Sequence, residues 1–137
     1  MKNKKILLTS ISPKKIPWIQ HILYALNRTN ISFDIYASNL KTNTPVRYFV
    51  KKMIYLPEIK NHNKLKISNI LKKNLIDYVF PLNEIEQIFW NDNKNYFKSK
   101  NKIRVLTKNN SSIYRCTDKI KFYKYCKKKC SFSICVL

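Results

Sequence analysis

The chain has 137 residues, 45% of them hydrophobic, and a formal net charge of +21 from 28 Lys and Arg against 7 Asp and Glu. This length allows one domain with its own core and excludes two domains of ordinary size, and the apolar content excludes a disordered chain. No apolar run approaches the roughly 20 residues of a membrane-spanning helix. The run at residues 6–8, after the basic N-terminus, is shorter than a signal-peptide core of about 7–15 residues. We therefore expect a cytoplasmic protein without a membrane partner.

The positive charge has two interpretations. Four of the basic residues are Arg and the rest are Lys, Asn and Ile are abundant, and Gly is absent, which is typical of A/T-rich coding sequences. Dedicated nucleic-acid readers favour Arg, which contacts phosphate or guanine at two points, and here the Lys residues are spread along the chain. These features favour compositional bias as the source of the charge. A function in nucleic-acid binding is the alternative, and weak nonspecific binding of nucleic acid is expected in either case.

The first half of the chain alternates strands with helical segments. Apolar runs bounded by Pro or polar residues predict strands over residues 4–10, 33–37 and 53–56. Ser12 and Pro13 predict a helix start, with Ser12 as the N-cap, and an apolar stripe at helical spacing continues to residues 27–30. Thr44 and Pro45 predict a short helical turn.

The second half continues the alternation. Helices are predicted over residues 65–75, 84–99, 109–114 and 117–129. Strands are predicted over residues 77–80, 102–107 and 131–137. Strands that are continuous apolar runs and that alternate with helices form parallel sheets covered on both faces. Since crossovers are right-handed, we predict a three-layer, Rossmann-like, doubly wound α/β fold with a mainly parallel five-stranded sheet.

One strand-to-helix turn is the first candidate site. Pro81 stops the strand at residues 77–80, Asn83 is the predicted N-cap of the next helix, and Glu86 completes a capping box. We expect this strand beside the first one, so that the carboxyl ends of both strands flank the crevice where ligands bind in such sheets. Glu84 and Glu86 either form a carboxylate pair in that crevice or serve the helix cap and dipole.

Two further segments carry candidate residues. Because the chain has no Gly, it has neither the dinucleotide fingerprint nor the P-loop, both of which need Gly beside phosphate. Residues 9–15 combine hydroxyls, helix N–H groups and two Lys, which fits either a small anion site or an ordinary helix start. Asp118 and Lys119 begin the last predicted helix.

The cysteines do not show the spacing of a metal site. Zinc sites usually pair two closely spaced ligands with a second such pair, and the two histidines, His21 and His62, lie in other predicted elements. Reduced thiols are the expectation for a cytosolic protein, with no metal ligand assigned. The four residues concerned are Cys116, Cys126, Cys130 and Cys135.

Four segments together resemble a known family. In chain order they are KKILLTSIS, KKIPWI, IDYVFPLNEIEQ and KIRVLTKNNSSIYRCTDKIKFYKY. Over residues 4–130 the chain is similar to the N-terminal (pre-ATP-grasp) domain of ATP-grasp ligases of the carbamoyl-phosphate synthase large-subunit-like group. The most specific part of the resemblance runs from Cys116 to Lys119 and is followed by Phe122.

The resemblance implies a role for five residues. In this family the Lys of the Asp-Lys segment reaches the nucleotide phosphates, which implies nucleotide binding for Lys119. Glu84 and Glu86 match the P-x-x-[DE]-x-E turn at the substrate-side crevice. Ser10 and Ser12 lie where relatives carry a Gly-containing substrate loop, although this chain has no Gly there.

The resemblance also implies a reaction that this chain performs only in part. Such ligases use ATP and magnesium to activate a carboxylate as an acyl phosphate and then join it to an amine. The ATP-clamping strands and magnesium-binding carboxylates come later in the family's sequence. We therefore expect residues 1–116 to be the pre-ATP-grasp domain and residues 117–137 a helix and strand that lead into a missing ATP-grasp domain.

Such a fragment of an ATP-dependent ligase is expected to be inactive alone and to bind neither ATP nor magnesium tightly. Its expected partner is a separate ATP-grasp chain or a second copy of itself. An adapter that uses apolar residues around 123–137 is a further possibility. The alternative from another class is a basic α/β module that binds nucleic acid.

Overall fold

The computed structural model of the protein describes residues 3–29, 31–41, 43–108 and 110–129. The chain divides into two compact units, Met1–Thr107 and Lys108–Leu137. The boundary predicted after residue 116 falls inside the second unit, and the strand predicted over residues 131–137 lies outside the described residues.

The first unit is built on five parallel strands. They are β1 (Lys4–Thr9), β2 (Phe33–Asn39), β3 (Lys52–Tyr55), β4 (Tyr78–Pro81) and β5 (Arg104–Val105). Their order across the sheet is β3-β2-β1-β4-β5, and every pairing is parallel. This confirms the predicted α/β fold with a five-stranded parallel sheet, and it confirms that β4 lies beside β1.

Helices and short 3₁₀ turns connect the strands. The turns are Pro13–Lys15, Pro45–Tyr48 and Asn61–Asn63. The helices of the first unit are α1 (Ile16–Asn27), α2 (Lys64–Lys73), α3 (Glu84–Asp92) and α4 (Lys94–Asn101), and those of the second unit are α5 (Asn110–Thr117) and α6 (Lys119–Lys129), which pack against each other. Among the described residues, no helix is both long and apolar enough to span a lipid bilayer.

The sheet is buried on both faces, as the continuous apolar strands predict. Successive side chains of a strand point to opposite faces, so Leu7 and Leu8, both fully buried, belong to different cores. The core on one face joins Leu7, Ile54 and Val79 to side chains of α2, α3 and α4, namely Ile67, Leu71, Phe89, Trp90 and Phe97. The core on the other face joins Ile6, Leu8 and Ile35 to Ile19 of α1 and Val46. The chain is therefore doubly wound.

The sequence predicts one continuous helix over residues 84–99, and this prediction is wrong. The structure has two helices, α3 and α4, with Asn93 between them. The buried Asn93 side chain donates to the Phe89 carbonyl at 2.9 Å and to Asn61 Oδ1 at 3.1 Å. The Phe89 carbonyl also accepts the backbone N–H of Asn93 at 3.1 Å, so the interruption lies in the non-helical backbone of Asn93, with φ −101° and ψ 6°.

The edge strands β3 and β5 are short, and the interior strand β4 has four residues like β3. The central strands β1 and β2 have six and seven residues, whereas β3 has four and β5 has two. The strand predicted over residues 102–107 is correspondingly shorter in the structure. Lys102, just before β5, has a left-handed backbone with φ 57°, which is incompatible with an extended strand at that residue.

Candidate functional site

The candidate site lies where the carboxyl ends of β1 and β4 meet. Thr9 pairs with Pro81 in the parallel register, so both strands end at the same level. The chain leaves β1 toward β2 on one side, while β4 and β5 lie on the other side. A reversal of strand order of this kind opens a crevice between the loops that follow the two strands. These loops comprise residues 10–15 and 82–86.

Glu86 of α3 joins the two loops. Its carboxylate accepts a hydrogen bond from Thr9 Oγ1 at 2.8 Å, and its other oxygen accepts one from Ser10 Oγ. The N-cap predicted at Asn83 is confirmed, because the Asn83 side chain accepts the Ile85 N–H at 3.0 Å. The capping box is wrong in its second half, because the Glu86 carboxylate accepts the hydroxyls of Thr9 and Ser10 and not the N–H of Asn83.

Ser10 has a left-handed backbone with φ 50°. For a residue with a Cβ this region costs about 1–2 kcal/mol, and Gly is the residue that occupies it without that cost. The Ser10 hydroxyl, which donates to Glu86, makes a contact that Gly could not make. The position therefore combines a backbone geometry typical of Gly with a side chain that binds the opposite loop.

The rest of the β1 loop is held by three bonds on its two sides. The Ile11 N–H donates to the Ser38 carbonyl at 3.1 Å, and Asn39 Nδ2 donates to the Ile11 carbonyl at 2.6 Å. On the other side, Lys15 Nζ donates to the Leu82 carbonyl at 2.6 Å. The loop is thus fixed between β2 and the start of α3.

Ser12 is placed at the predicted cap position, but its hydroxyl makes no cap bond. The Ser12 carbonyl accepts the Lys15 N–H at 2.9 Å, which closes the 3₁₀ turn, and α1 begins after that turn. The helix start predicted at Ser12 and Pro13 is therefore a 3₁₀ turn. Within the described residues, no hydrogen bond of the Ser12 side chain assigns Ser12 to the site.

Glu84 and Glu86 are not brought together as a carboxylate pair. They lie two positions apart in the first turn of α3, and side chains at that spacing project from different sides of a helix. Glu84 is exposed, whereas Glu86 is partly buried and faces the β1 loop. Four residues were predicted for the substrate side. The described contacts join two of them, Ser10 and Glu86, and do not include Glu84 or the Ser12 hydroxyl.

A cavity of about 110 Å³ lies beside the Ser10–Glu86 contact. Its walls come from the ends of three strands and from α3: Ser10, Ser38, Asn39, Leu40, Leu56, Pro57, Glu58, Ile59 and Glu86. Sequence reasoning missed Glu58, which is exposed and pairs with Lys60 at 2.7 Å. A signal existed, because Glu58 follows the Pro that ends a buried strand, and parallel strands of one sheet deliver such residues to the same edge.

Glu86 differs from the other partly buried acids of its unit in its electrostatic environment. Asp34 has Lys51 Nζ at 2.9 Å, and the pKa of Asp34 is lowered because Asn3 and Lys51 donate hydrogen bonds to its carboxylate. Asp77 has Lys4 Nζ at 3.7 Å. Within the described residues Glu86 has no Lys or Arg at salt-bridge distance, although the chain has 28 such residues.

The second unit contains Lys119, for which the resemblance implies nucleotide binding. This residue is exposed and begins α6. Before it, Asp118 Oδ1 accepts the N–H groups of Ile120 and Lys121, both at 3.0 Å, so Asp118 caps the helix. The backbone N–H of Lys121 is the largest cause of a lowered pKa at Asp118.

No cluster of three or more His, Cys, Asp or Glu side chains that could hold a metal ion exists among residues 3–29, 31–41, 43–108 and 110–129. Cys116 and Cys126 are free thiols. Cys130 and Cys135 lie outside the described residues. Two of the described carboxylates, Glu58 and Glu86, line the cavity, and two such groups are fewer than the three counted for a metal site.

No protein-family model matches the chain, and no curated protein matches it. The candidate site is therefore defined by the residues of this chain alone: Ser10, Glu58 and Glu86 line one cavity at the carboxyl edge of the sheet, and Thr9 donates a hydrogen bond to Glu86.

Proposed function

We propose that this chain is the N-terminal, substrate-side domain of an ATP-grasp ligase of the carbamoyl-phosphate synthase large-subunit-like group, without catalytic activity on its own. The observation that carries the proposal is the contact of Glu86 with Thr9 and Ser10. These residues belong to two of the segments that resemble the family, PLNEIE and TSIS, which lie about 76 positions apart. Their meeting at the crevice of a parallel sheet is what a substrate-side domain requires.

In this proposal the two units have separate roles. The crevice of the first unit holds the non-nucleotide substrate, and Lys119 of the second unit contacts the nucleotide phosphates. The magnesium ions and the remaining ATP contacts would come from the ATP-grasp fold of such a ligase, and the proposed partner is a separate ATP-grasp chain or a second copy of this chain. ATP would supply the phosphoryl group that activates a carboxylate, and the residues of this chain bind and orient the substrate.

Nucleotide titration of the full chain, followed by amide NMR shifts, tests the proposal. We expect MgATP to bind weakly, and Lys119→Ala to weaken binding at least 5-fold because it removes a charged phosphate contact. Lys124→Ala is the matched control, because it removes the same charge from the same helix and should change binding less than 2-fold. Equal weakening by both variants, or no binding of MgATP, would contradict the proposal.

The second candidate function is nucleic-acid binding, and one observation favours it. Six of the eleven residues of α6 are Lys, so the charge is more concentrated here than the sequence as a whole indicates. Anisotropy of a labelled single-stranded oligonucleotide would measure this function, because log K falls by about 0.7 per phosphate contact for each unit of log salt. A steep slope that Lys124→Ala and Lys128→Ala each reduce would favour nucleic-acid binding over the ligase domain.

A further inference from the structure

We propose that the exposed side of α1 binds single-stranded RNA by stacking bases on its aromatic rings. The inference goes beyond the ligase domain and does not rest on it. It concerns a surface of the first unit, whereas the nucleic-acid function considered above rests on α6 of the second unit. The partner follows from the exposed rings of α1, from the Arg side chains that lie over such rings, and from the charge of the surrounding sequence.

Two large aromatic side chains of α1 are exposed. Trp18 is 65% exposed and Tyr24 is 60% exposed, whereas the aliphatic stripe of the same helix packs into the core around Ile19. Residues three positions apart are neighbours on a helix surface, so the exposed His21 connects Trp18 to Tyr24 in one row. Exposed Trp and Tyr are typical of contact surfaces, because each combines a large flat ring with a polar tip. The row therefore offers a stacking surface to a partner with flat rings of its own.

A shallow cavity of about 170 Å³ lies at the Trp18 end of this row. Its walls are Pro17, Trp18 and His21, three flat side chains that are apolar apart from their ring nitrogens. Since one water takes about 30 Å³ of liquid, this volume accommodates a flat ring of several heavy atoms. A pyrimidine base would fit there against the indole ring, with its sugar and phosphate outside the cavity.

Arg28 continues the row one helix turn beyond Tyr24 and adds positive charge. Its guanidinium lies 4.6 Å from the centre of the Tyr24 ring and donates a hydrogen bond to the Tyr24 hydroxyl. A second pair of this kind lies in the Pro45–Tyr48 turn, which covers the same face of the sheet as α1: Arg47 lies 5.0 Å from the centre of the exposed Tyr48 ring. RNA bases stack on guanidinium planes as well as on aromatic rings, and Arg also binds phosphate. The two Arg–Tyr pairs therefore suit both parts of a nucleotide.

The charge of the surrounding sequence favours a polyanion. Residues 1–57 contain ten Lys and Arg and a single acidic residue, Asp34. The Asp34 carboxylate is already occupied, because it accepts hydrogen bonds from Asn3 at 3.1 Å and from Lys51 at 2.9 Å. A strand of phosphates at α1 would thus meet positive charge and no unpaired carboxylate from these residues, which is the electrostatic condition for nucleic-acid binding.

The exposed side of α1 fits an RNA strand better than a lipid surface or a duplex. A helix that lies on lipid inserts a continuous apolar face, but the aliphatic residues of α1 pack into the core, and its exposed side is aromatic and polar. Bases in a duplex stack on each other and are not available to a protein ring. Unpaired bases occur in the loops and ends of RNA, so single-stranded RNA supplies the phosphates and the free bases together.

Fluorescence titration of the full chain with an oligouridylate of about ten nucleotides, a length typical of single-strand sites, tests the inference. Trp90 is fully buried, so quenching by a stacked base reports on Trp18. We expect saturable quenching by the RNA, and the oligodeoxyuridylate of the same length should bind no more tightly. The absence of quenching by RNA, or a preference for the DNA strand of more than 5-fold, would overturn the inference.

Two further probes separate bases from charge and from lipid. Inorganic polyphosphate has the charge without the bases and should not quench Trp18, whereas quenching equal to that by RNA would show a charge effect alone and overturn the inference. Vesicles of phosphatidylserine and phosphatidylcholine should leave the Trp18 emission unchanged. A blue shift with vesicles, together with no quenching by RNA, would assign this surface to a membrane instead.

Trp18→Ala should weaken RNA binding, measured by the anisotropy of a labelled strand, at least 5-fold, because it removes one base–aromatic stack. The slope of log K against log salt should stay unchanged in this variant, since an indole neutralises no phosphate, whereas Arg28→Gln should reduce the slope by about 0.7. Tyr123→Ala is the matched control, because it removes an exposed ring from α6, and it should change the affinity less than 2-fold. Equal weakening by Trp18→Ala and Tyr123→Ala, or an unchanged affinity of Trp18→Ala, would refute the inference.

This inference and the proposed functions fail separately. RNA binding that depends on Trp18, together with MgATP binding that Lys119→Ala does not affect, would keep the RNA surface and reject the ligase domain. Selective loss of MgATP binding in Lys119→Ala, with no quenching by RNA, would keep the ligase domain and reject the RNA surface. RNA binding that Lys124→Ala weakens and Trp18→Ala does not would assign the binding to α6 and overturn the inference for α1.

Discussion

Two substitutions at Ser10 can separate the cost of its left-handed backbone from the stabilisation that its hydroxyl provides. Ser10→Ala removes the hydroxyl that donates to Glu86 and keeps the Cβ, so we expect the free energy of unfolding to fall by about 1.5–3 kcal/mol, typical of a hydrogen bond to a charged group. Ser10→Gly removes the same hydroxyl but also relieves the cost of φ 50° for a residue with a Cβ, about 1–2 kcal/mol.

Part of this relief is lost, because Gly makes the unfolded chain more flexible by about 0.4–1 kcal/mol. Ser10→Gly should therefore be about 0.5–1 kcal/mol more stable than Ser10→Ala, although less stable than the parent chain. Urea unfolding followed by the fluorescence of the buried Trp90 measures both values.

The control is another residue with the same backbone and no comparable side-chain bond. Lys102, with φ 57° at the end of α4, serves this purpose. The stability of Lys102→Gly should exceed that of Lys102→Ala by a similar margin of about 0.5–1 kcal/mol. If the Gly variant gains at Lys102 and not at Ser10, the backbone at Ser10 is not strained, and the cost assigned to its left-handed geometry is wrong.

The remaining predictions concern a helix cap, an ion pair and a buried indole. Asn83→Ala should lower the free energy of unfolding by about 1 kcal/mol, because its side chain caps α3, and Asn83→Asp should retain most of the stability; an unchanged stability of Asn83→Ala would show that the cap contributes nothing. The lowered pKa of Asp34 means that its contribution is present above the unfolded value near 3.8 and is lost as the pH falls through the folded value. Asp34→Asn should thus be less stable than the parent at about pH 6, and in thermal melts the difference should shrink as the pH falls below 3.8 through the lowered pKa, whereas a constant difference would contradict this. Trp90→Phe should change stability by only about 1 kcal/mol, because the smaller ring loses packing but removes an indole N–H that has no acceptor among the described residues; a loss above about 3 kcal/mol would show that this N–H has a partner.

The doubly wound parallel sheet, with β4 beside β1, could be predicted because the residues that mark its strands act locally. Pro57 and Pro81 end apolar runs that are buried on both faces, and the right-handed crossover then restricts how the runs can be arranged. The interruption at Asn93 could not be predicted in the same way. The buried Asn93 side chain bonds Asn61, and a contact with a side chain 32 positions away leaves no trace in the periodicity of α3 and α4.

The candidate site was predictable in place but not in detail. The sequence indicates that Glu86 lies at a strand-to-helix turn, and local rules then assign it to a capping box with Asn83. Its actual partners, Thr9 and Ser10, come from β1 and the residue after it. Only the packing of the sheet brings them close enough for Glu86 to bind them instead of the N–H of Asn83. Glu58 was missed because an exposed acid beside Lys60 looks like an ordinary surface pair until the cavity next to it is known.

The short edge strands have a consequence for how copies of the protein meet. A sheet edge with free N–H and C=O groups is a template on which another chain can add a strand and start aggregation. Here β3 offers four residues and begins with a Lys, and β5 offers two and begins with an Arg. An incoming strand would gain few backbone bonds at either margin and would meet positive charge first, so the long, apolar β1 and β2 stay enclosed and the protein should resist fibril growth even when it is crowded.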